Sequence, residues 1–187
     1  HGTWERVIDA TWSSNAQRRA EVWAGRAGGS PSSATVEIET YPGSGYTWRE
    51  EAEVFELTGD LDPDADLADL FGVWGIADGY DLSPVAITLA AFESADNTRF
   101  VVAGGYNHTP TWTWEGGYTT AALHAHGGFS MQCGWIGAED NSVSITVTRY
   151  VTVGALAFEI KESAFEYEPA PGSPNPSTRA YQHLLVR

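Results

Sequence analysis

Three of the five histidines are the side chains whose type and spacing best suit the binding of a metal. His1 occupies the first position, where a free amine and an imidazole together can chelate copper. His124 and His126 are two residues apart, so in a strand both imidazoles lie on one face and can share a metal ion. One hypothesis is a copper site formed by these three residues, and the alternative is that the histidines are solvent-exposed or hydrogen-bonded.

The acidic segment at residues 60–66 is the second candidate for a cation site. An EF-hand loop beginning at Asp60 requires glycine at its sixth position and glutamate at its twelfth, where the sequence has Ala65 and Phe71. The EF-hand is therefore excluded. A looser calcium site and a solvated acidic loop are the two interpretations that remain.

Aromatic side chains give the strongest signal for binding. Trp112 and Trp114 alternate with threonines, so they share one face of an extended segment, and Tyr106 and Tyr118 are near in sequence. Exposed indoles would stack on sugar rings or anchor a protein interface, whereas buried ones would pack in the core. Tyr106, Trp112, Trp114 and Tyr118 are the candidate contacts to a glycan or a partner protein. Packing in the core or between subunits is the favoured alternative, because sandwiches commonly bury tryptophan.

Motifs for hydrolysis and for phosphate binding are missing from the sequence. The segment Gly43-Ser44-Gly45 lacks the spacing of a nucleophile elbow, and Cys133 has no neighbouring histidine that would activate it. As the only cysteine, Cys133 forms no internal disulfide and is predicted to lie in the core. We predict no catalytic residue and a protein that is not an enzyme.

The elements that position these side chains are strands. Apolar and polar residues alternate at residues 35–39, 85–89, 143–148 and 156–160, and glycine-rich turns separate such segments. Only residues 64–71 have a helical pattern, with Asp64 or Asp66 as the cap. Many short strands without alternating helices predict an all-β protein, a two-sheet antiparallel β-sandwich with jelly-roll-like connections.

The chain divides into two parts. Residues 1–168 are predicted to form the β-sandwich domain, and residues 169–187 form a proline-rich linker followed by a strand. This strand is expected either to fold back onto an edge of its own sheet or to be donated to the sheet of a neighbouring subunit. Donation would place the protein in a homo-oligomer or a larger assembly.

The charge excludes several classes of partner. The 187 residues carry 25 acidic and 10 basic side chains, a formal net charge of -15. Such a surface repels nucleic acid and anionic lipid, and no apolar run reaches the roughly 20 residues of a membrane span. We therefore expect neighbouring protein subunits as partners, with carbohydrate as a further ligand, and no contact with nucleic acid or membrane.

The dipeptide His1-Gly2 resembles the mature N-terminus of lytic polysaccharide monooxygenases, which are also built on a β-sandwich. This resemblance implies a copper cofactor and the oxidation of polysaccharide. It covers only the dipeptide and the class of fold, because the second-histidine segment and the axial aromatic motif of that family have no match here. A stand-alone carbohydrate-binding module that uses Trp112 and Trp114 is a further alternative.

A longer resemblance covers residues 19–162. The succession of segments at residues 20–27, 33–38, 52–59 and 84–92 is similar to jelly-roll domains in tail and surface proteins of phages. It implies a structural or adhesive component of an extracellular assembly, such as a phage tail or a virion decoration, with no catalytic residue carried over. The expected location is extracellular or on the virion. The histidine at the first position is interpreted as a sign that the chain was cut or trimmed.

Overall fold

The computed structural model describes residues 4–12, 19–26, 53–57, 66–106, 110–121, 123–126, 128–137, 142–148, 152–161 and 182–186. Within these ranges the regular elements are strands and one short 3₁₀ turn, which confirms the predicted all-β class. The strands are β1 Trp4–Thr11, β2 Arg19–Arg26, β3 Glu53–Leu57, β4 Phe71–Tyr80, β5 Val85–Thr88, β6 Thr98–Tyr106, β7 Thr111–Trp114, β8 Thr119–Thr120, β9 His124–His126, β10 Phe129–Ile136, β11 Ser142–Thr148, β12 Thr152–Ile160 and β13 Gln182–Val186.

Strands β4 to β12 form a sandwich of two facing antiparallel sheets. The larger sheet has the order β4-β12-β6-β10-β8, with β9 also paired to β10, and the smaller sheet has the order β5-β11-β7. The chain passes alternately between the two sheets from β4 to β7. The first and last strands of the sandwich, β4 and β12, lie side by side. The predicted antiparallel sandwich is therefore confirmed.

A third layer, which the sequence analysis did not predict, covers the other face of the larger sheet. This outer sheet has the order β1-β2-β13-β3. Its inward side chains Ile8, Ala10, Ala20 and Val22 pack in one hydrophobic cluster with residues of the larger sheet. The larger sheet is therefore a central layer whose inner strands are buried on both faces.

Burial on both faces explains the composition of β6 and β12. Residues 100–105 of β6 and residues 153–160 of β12 are all buried. Side chains of β12 alternate between two cores: Leu156 and Phe158 pack toward the outer sheet, whereas Val153 and Ala155 pack toward the smaller sheet. Nearly continuous apolar runs are typical of strands enclosed in this way. Cys133 is fully buried in the first of these cores, as predicted.

The helical pattern at residues 64–71 corresponds to a single 3₁₀ turn, Leu67–Leu70. Asp66, one of the two predicted caps, accepts a hydrogen bond from the Ala68 backbone N–H at 3.3 Å, and Asp64 lies outside the described residues. The turn stops after four residues because Phe71 is already extended and pairs with Ile160 of β12. Leu67 and Leu70 are buried beneath the outer sheet.

Strand β13 lies between β2 and β3 of the same chain. Its backbone pairs with β2 from Gln182 opposite Arg26 to Val186 opposite Val22, and on its other side with β3. It thus lies inside the outer sheet, with a neighbour on each side, and not at an edge. The predicted linker at residues 169–176 lies outside the described residues.

Candidate functional site

Two of the predicted aromatic residues lie on one side of β7, and that side faces the interior. Trp112 is 7% exposed and its Nε1 donates a hydrogen bond to the Ser130 hydroxyl at 3.3 Å. The Nε1 of Trp114 donates to Oε1 of Gln132 at 2.9 Å. Each indole therefore bridges from the smaller sheet to β10 of the larger sheet.

Glycines in the larger sheet provide the space that these indoles occupy. A Cβ atom on Gly134 would lie 2.8 Å from Cζ3 of Trp114, and one on Gly105 would lie 3.2 Å from Cζ2 of Trp112. Real Cβ atoms avoid such close contacts with aromatic carbons. Because Trp112 is buried, the predicted pair does not form an exposed platform of two indoles.

The two tyrosines of the predicted site separate. The Tyr118 ring lies 5.5 Å from that of Trp114, and Nη1 of Arg99 donates to the Tyr118 hydroxyl at 3.4 Å. Tyr106 belongs to β6, where side chains alternate, so it points to the opposite face from Gly105, which contacts Trp112. The structure therefore brings together Trp112, Trp114 and Tyr118 inside the sandwich and leaves Tyr106 apart.

A buried polar cluster that the sequence analysis missed lies at the beginning of β4. Arg99 and Glu159 are fully buried and stand directly opposite each other on β6 and β12. The Glu159 carboxylate accepts hydrogen bonds from the backbone N–H of Val73 at 3.1 Å and of Glu93 at 3.0 Å, and from the Asn97 amide. Opposite charges and these donors make burial of both groups tolerable.

A second buried carboxylate, Glu21, lies on the outer sheet. It accepts hydrogen bonds from Nη1 of Arg6 at 3.1 Å and from Nε1 of Trp23 at 3.2 Å, and pairs with Nε of Arg19 at 3.2 Å. Arg6 also contacts Asp9 at 2.8 Å. This cluster ties β1 to β2 and has the character of a structural network.

The predicted metal ligands are only partly described. His1 lies outside the described residues, His124 is half-buried on β9, and the His126 backbone pairs with Phe129. Within the described part of the chain, no three His, Cys, Asp or Glu side chains are grouped closely enough to hold a metal ion. Of the acidic segment, only Asp66 is described, and its carboxylate caps the 3₁₀ turn.

One accessible feature of the sandwich is the outer edge of β4. This strand pairs with β12 on one side, and no described strand pairs with its other side. All residues from 72 to 80 retain exposure, including Gly72, Gly75 and Gly79, whereas residues 153–160 of the neighbouring β12 are buried. Since a glycine has no side chain, its exposure means that the backbone of β4 itself is accessible.

Two aromatic side chains lie along this edge on one face of the strand. Trp74 is 50% exposed and Tyr80 is 68% exposed. They are six residues apart, which in a strand corresponds to about 20 Å. Between them, Ile76 packs against the core beneath the outer sheet, and Asp78 is half-buried. We call the strand with these two rings the β4 edge.

Comparisons with protein families, curated proteins and solved structures find no match. Within the described residues, no helix is long and apolar enough to cross a membrane. The assignment of function therefore depends on the β4 edge and its chemistry.

The sequence pattern did not reveal this edge, because residues 71–80 do not alternate regularly. Three glycines interrupt the pattern, and the register with β12 shifts between Phe71 and Trp74. As a result, a Cβ atom on Gly72 would meet Glu159, and the next residue, Val73, packs against the core that faces the smaller sheet. From Val73 onward, the spacing of Trp74, Ile76 and Tyr80 is that of a strand. An isolated tryptophan among glycines was the available signal.

Proposed function

We propose that the protein is a non-enzymatic structural subunit of an extracellular assembly, such as a phage tail or a virion surface, and that it contacts its neighbours through the β4 edge. The open edge of β4 is the observation that supports this proposal. A strand with one open edge offers a row of backbone N–H and C=O groups with which an extended segment of another chain can pair.

The composition of the β4 edge favours contact over protection. Monomeric proteins shield exposed edges with lysine, proline, short strands or inward-pointing charges. β4 has ten residues, contains neither lysine nor proline, and carries one charged side chain, Asp78. Exposed aromatic residues are among those enriched at protein interfaces. A strand of this kind at the surface is best suited to association.

The rest of the molecule supports the role of a rigid building block. The larger sheet is enclosed by two other sheets, and its buried charges are held by defined hydrogen bonds, such as those of Glu159. Jelly-roll-like sandwiches occur in viral capsids and in lectins, so the fold is compatible with a virion subunit and does not by itself select a function.

Carbohydrate binding is the second candidate function, and the exposure of Trp74 and Tyr80 favours it. Aromatic rings at a surface stack on sugars, and an edge with little charge suits a neutral glycan. Sedimentation of the protein with insoluble neutral glycans tests this function. Retention that is lost in Trp74→Ala and kept in Trp112→Phe, which alters an interior ring, supports it; no retention of the parent protein contradicts it.

Sedimentation velocity over a range of protein concentrations tests the assembly function. We expect the parent chain to self-associate and Trp74→Lys to weaken association by about tenfold or more, because a lysine removes aromatic contact and leaves an uncompensated charge in the contact. Thr113→Lys is the matched control, since it adds the same charge to an exposed position on β7, an edge strand of the smaller sheet.

Equal association of the parent, Trp74→Lys and Thr113→Lys proteins would contradict a contact at the β4 edge. A parent chain that stays monomeric at the highest concentration reached would contradict the assembly function itself. Thermal unfolding of each variant confirms that the folded state is retained, as expected for substitutions at exposed positions.

A further inference from the structure

We infer that the partner of the β4 edge is a second copy of this chain, paired antiparallel about a two-fold axis at Ala77. This inference rests on the proposed function and specifies its partner. The two larger sheets would then join into one continuous sheet across the dimer. Three features of β4 support this partner: its register, its charge and the positions of its two exposed rings.

An axis at Ala77 places aromatic residues opposite each other. Trp74 stands opposite the partner's Tyr80, and Tyr80 opposite the partner's Trp74, because each lies three residues from the axis. On the other face, Gly75 stands opposite the partner's Gly79, so no side chains crowd the two strands at this pair. Aromatic pairs directly opposite across two antiparallel strands stabilise the pairing.

Neighbouring registers are less favourable. A two-fold axis perpendicular to the sheet pairs residues of the same face, so it must lie at a residue and not between two residues. The nearest alternatives to Ala77 are therefore axes at Ile76 and at Asp78. An axis at Ile76 places Trp74 opposite the partner's Asp78. An axis at Asp78 places the two Asp78 carboxylates directly opposite each other, which is destabilising. Only the axis at Ala77 gives two aromatic pairs without opposed carboxylates.

The extent of regular pairing agrees with this register. The extra residue in β4 between Phe71 and Trp74 breaks alternation at the beginning of the strand. At the other end, Asp81 has a φ of 56°, which turns the chain away from the strand. The regular segment thus runs from about Trp74 to Tyr80, and Ala77 is the midpoint of these two residues.

Charge favours this edge as the contact between two copies. Each chain carries a net charge of -15, so two copies repel each other over most of their surfaces. The only charged side chain of β4 is Asp78, which in this register lies opposite the partner's Ile76. The exposed parts of Trp74 and Tyr80 amount to about 250 Å² per copy. This area is well below the roughly 600 Å² per partner of stable interfaces, so we expect a weak dimer.

Disulfide cross-linking of the full chain tests the register. Trp74→Cys and Tyr80→Cys are prepared as separate variants, mixed and oxidised mildly; the native Cys133 is fully buried and does not compete. We expect the mixture to give at least fivefold more covalent dimer than either variant alone. Identical positions lie about 20 Å apart in this register, beyond the roughly 7 Å that a disulfide spans between Cα atoms. Ala77→Cys alone should cross-link to itself, and Thr113→Cys should not.

The outcomes separate this inference from the proposed function. Self-linking of Trp74→Cys as efficient as linking to Tyr80→Cys would overturn the register. No cross-link in the mixture or at Ala77, together with association that remains sensitive to Trp74→Lys, would overturn the second copy paired at Ala77 and leave the assembly function standing. Absence of association in sedimentation as well would overturn both.

Discussion

Two aromatic pairs on two edge strands have opposite environments. Trp112 and Trp114 on β7 point into the sandwich, where both indoles hydrogen-bond to side chains of β10. Trp74 and Tyr80 on β4 remain largely exposed. Each pair lies on a single face of its strand, as alternation requires, so the pattern alone does not distinguish them. The layer that covers each face decides which pair packs in the interior and which is available for contact.

The first prediction breaks the interior pair. Trp112→Ala should lower the free energy of unfolding by about 3–5 kcal/mol, because it removes a buried indole and leaves a cavity between the sheets. Trp74→Ala, which truncates the same residue type at a half-exposed position, should lower it by about 1 kcal/mol or less. Urea unfolding followed by circular dichroism measures both. Equal losses would show that the two environments do not differ as described.

The second prediction concerns the support of the exposed pair. Glu159→Ala should lower the free energy of unfolding by about 3 kcal/mol or more, because three donors lose their acceptor and Arg99 keeps its buried charge. Glu159→Gln retains an acceptor and should lower it less. Glu93→Ala is the control, since its exposed carboxylate pairs only with Lys161 in the described structure and contributes little.

The same substitution connects stability to the β4 edge. The Val73 backbone N–H donates to Glu159, so Glu159 holds the beginning of β4 in place. We expect Glu159→Ala to weaken self-association as well as folding, when sedimentation is performed at a temperature where the variant remains folded. Association equal to that of the parent protein would mean that β4 keeps its position without this carboxylate.

The third prediction sharpens the chemical difference between the pairs. Gln132→Leu should lower the free energy of unfolding by about 1 kcal/mol, because the partly buried indole N–H of Trp114 loses its acceptor. An exposed indole has water as an alternative partner, so the neighbours of Trp74 should show no comparable sensitivity. Ile136→Leu, which preserves side-chain volume at another half-buried position of β10, is the control.

The sequence was informative about strands and uninformative about layers. The alternation at residues 85–89 and 143–148 predicted β5 and β11, and the late alternation predicted much of β12. Alternation places a side chain on a face but does not reveal whether a further sheet covers that face. The outer sheet, assembled from β1, β2, β3 and β13, joins segments far apart in sequence and was not predicted.

The candidate site was missed for the same physical reason. Trp112 and Trp114 stood out because they repeat within four residues, yet Gly105 and Gly134 on other strands create the space that buries them. Arg99 and Glu159 each interrupt an apolar strand, which was a readable signal of a buried charge, but their opposition depends on the register of β6 with β12. The exposure of Trp74 depends on where the neighbouring layers end, which no local sequence pattern records.

The smallest expected effect comes from salt and tests the role of charge at the exposed pair. Two copies with a net charge of -15 repel each other, and the screening length falls from about 10 Å at 0.1 M to about 3 Å at 1 M ionic strength. Self-association measured by sedimentation should therefore strengthen severalfold as sodium chloride is raised over this range. Trp74→Lys should stay weaker than the parent protein at every salt concentration, because it changes the contact and not only the long-range repulsion. Association that weakens with salt would instead indicate that attractive charge pairs hold the copies together, which is incompatible with a contact made by the uncharged rings of β4.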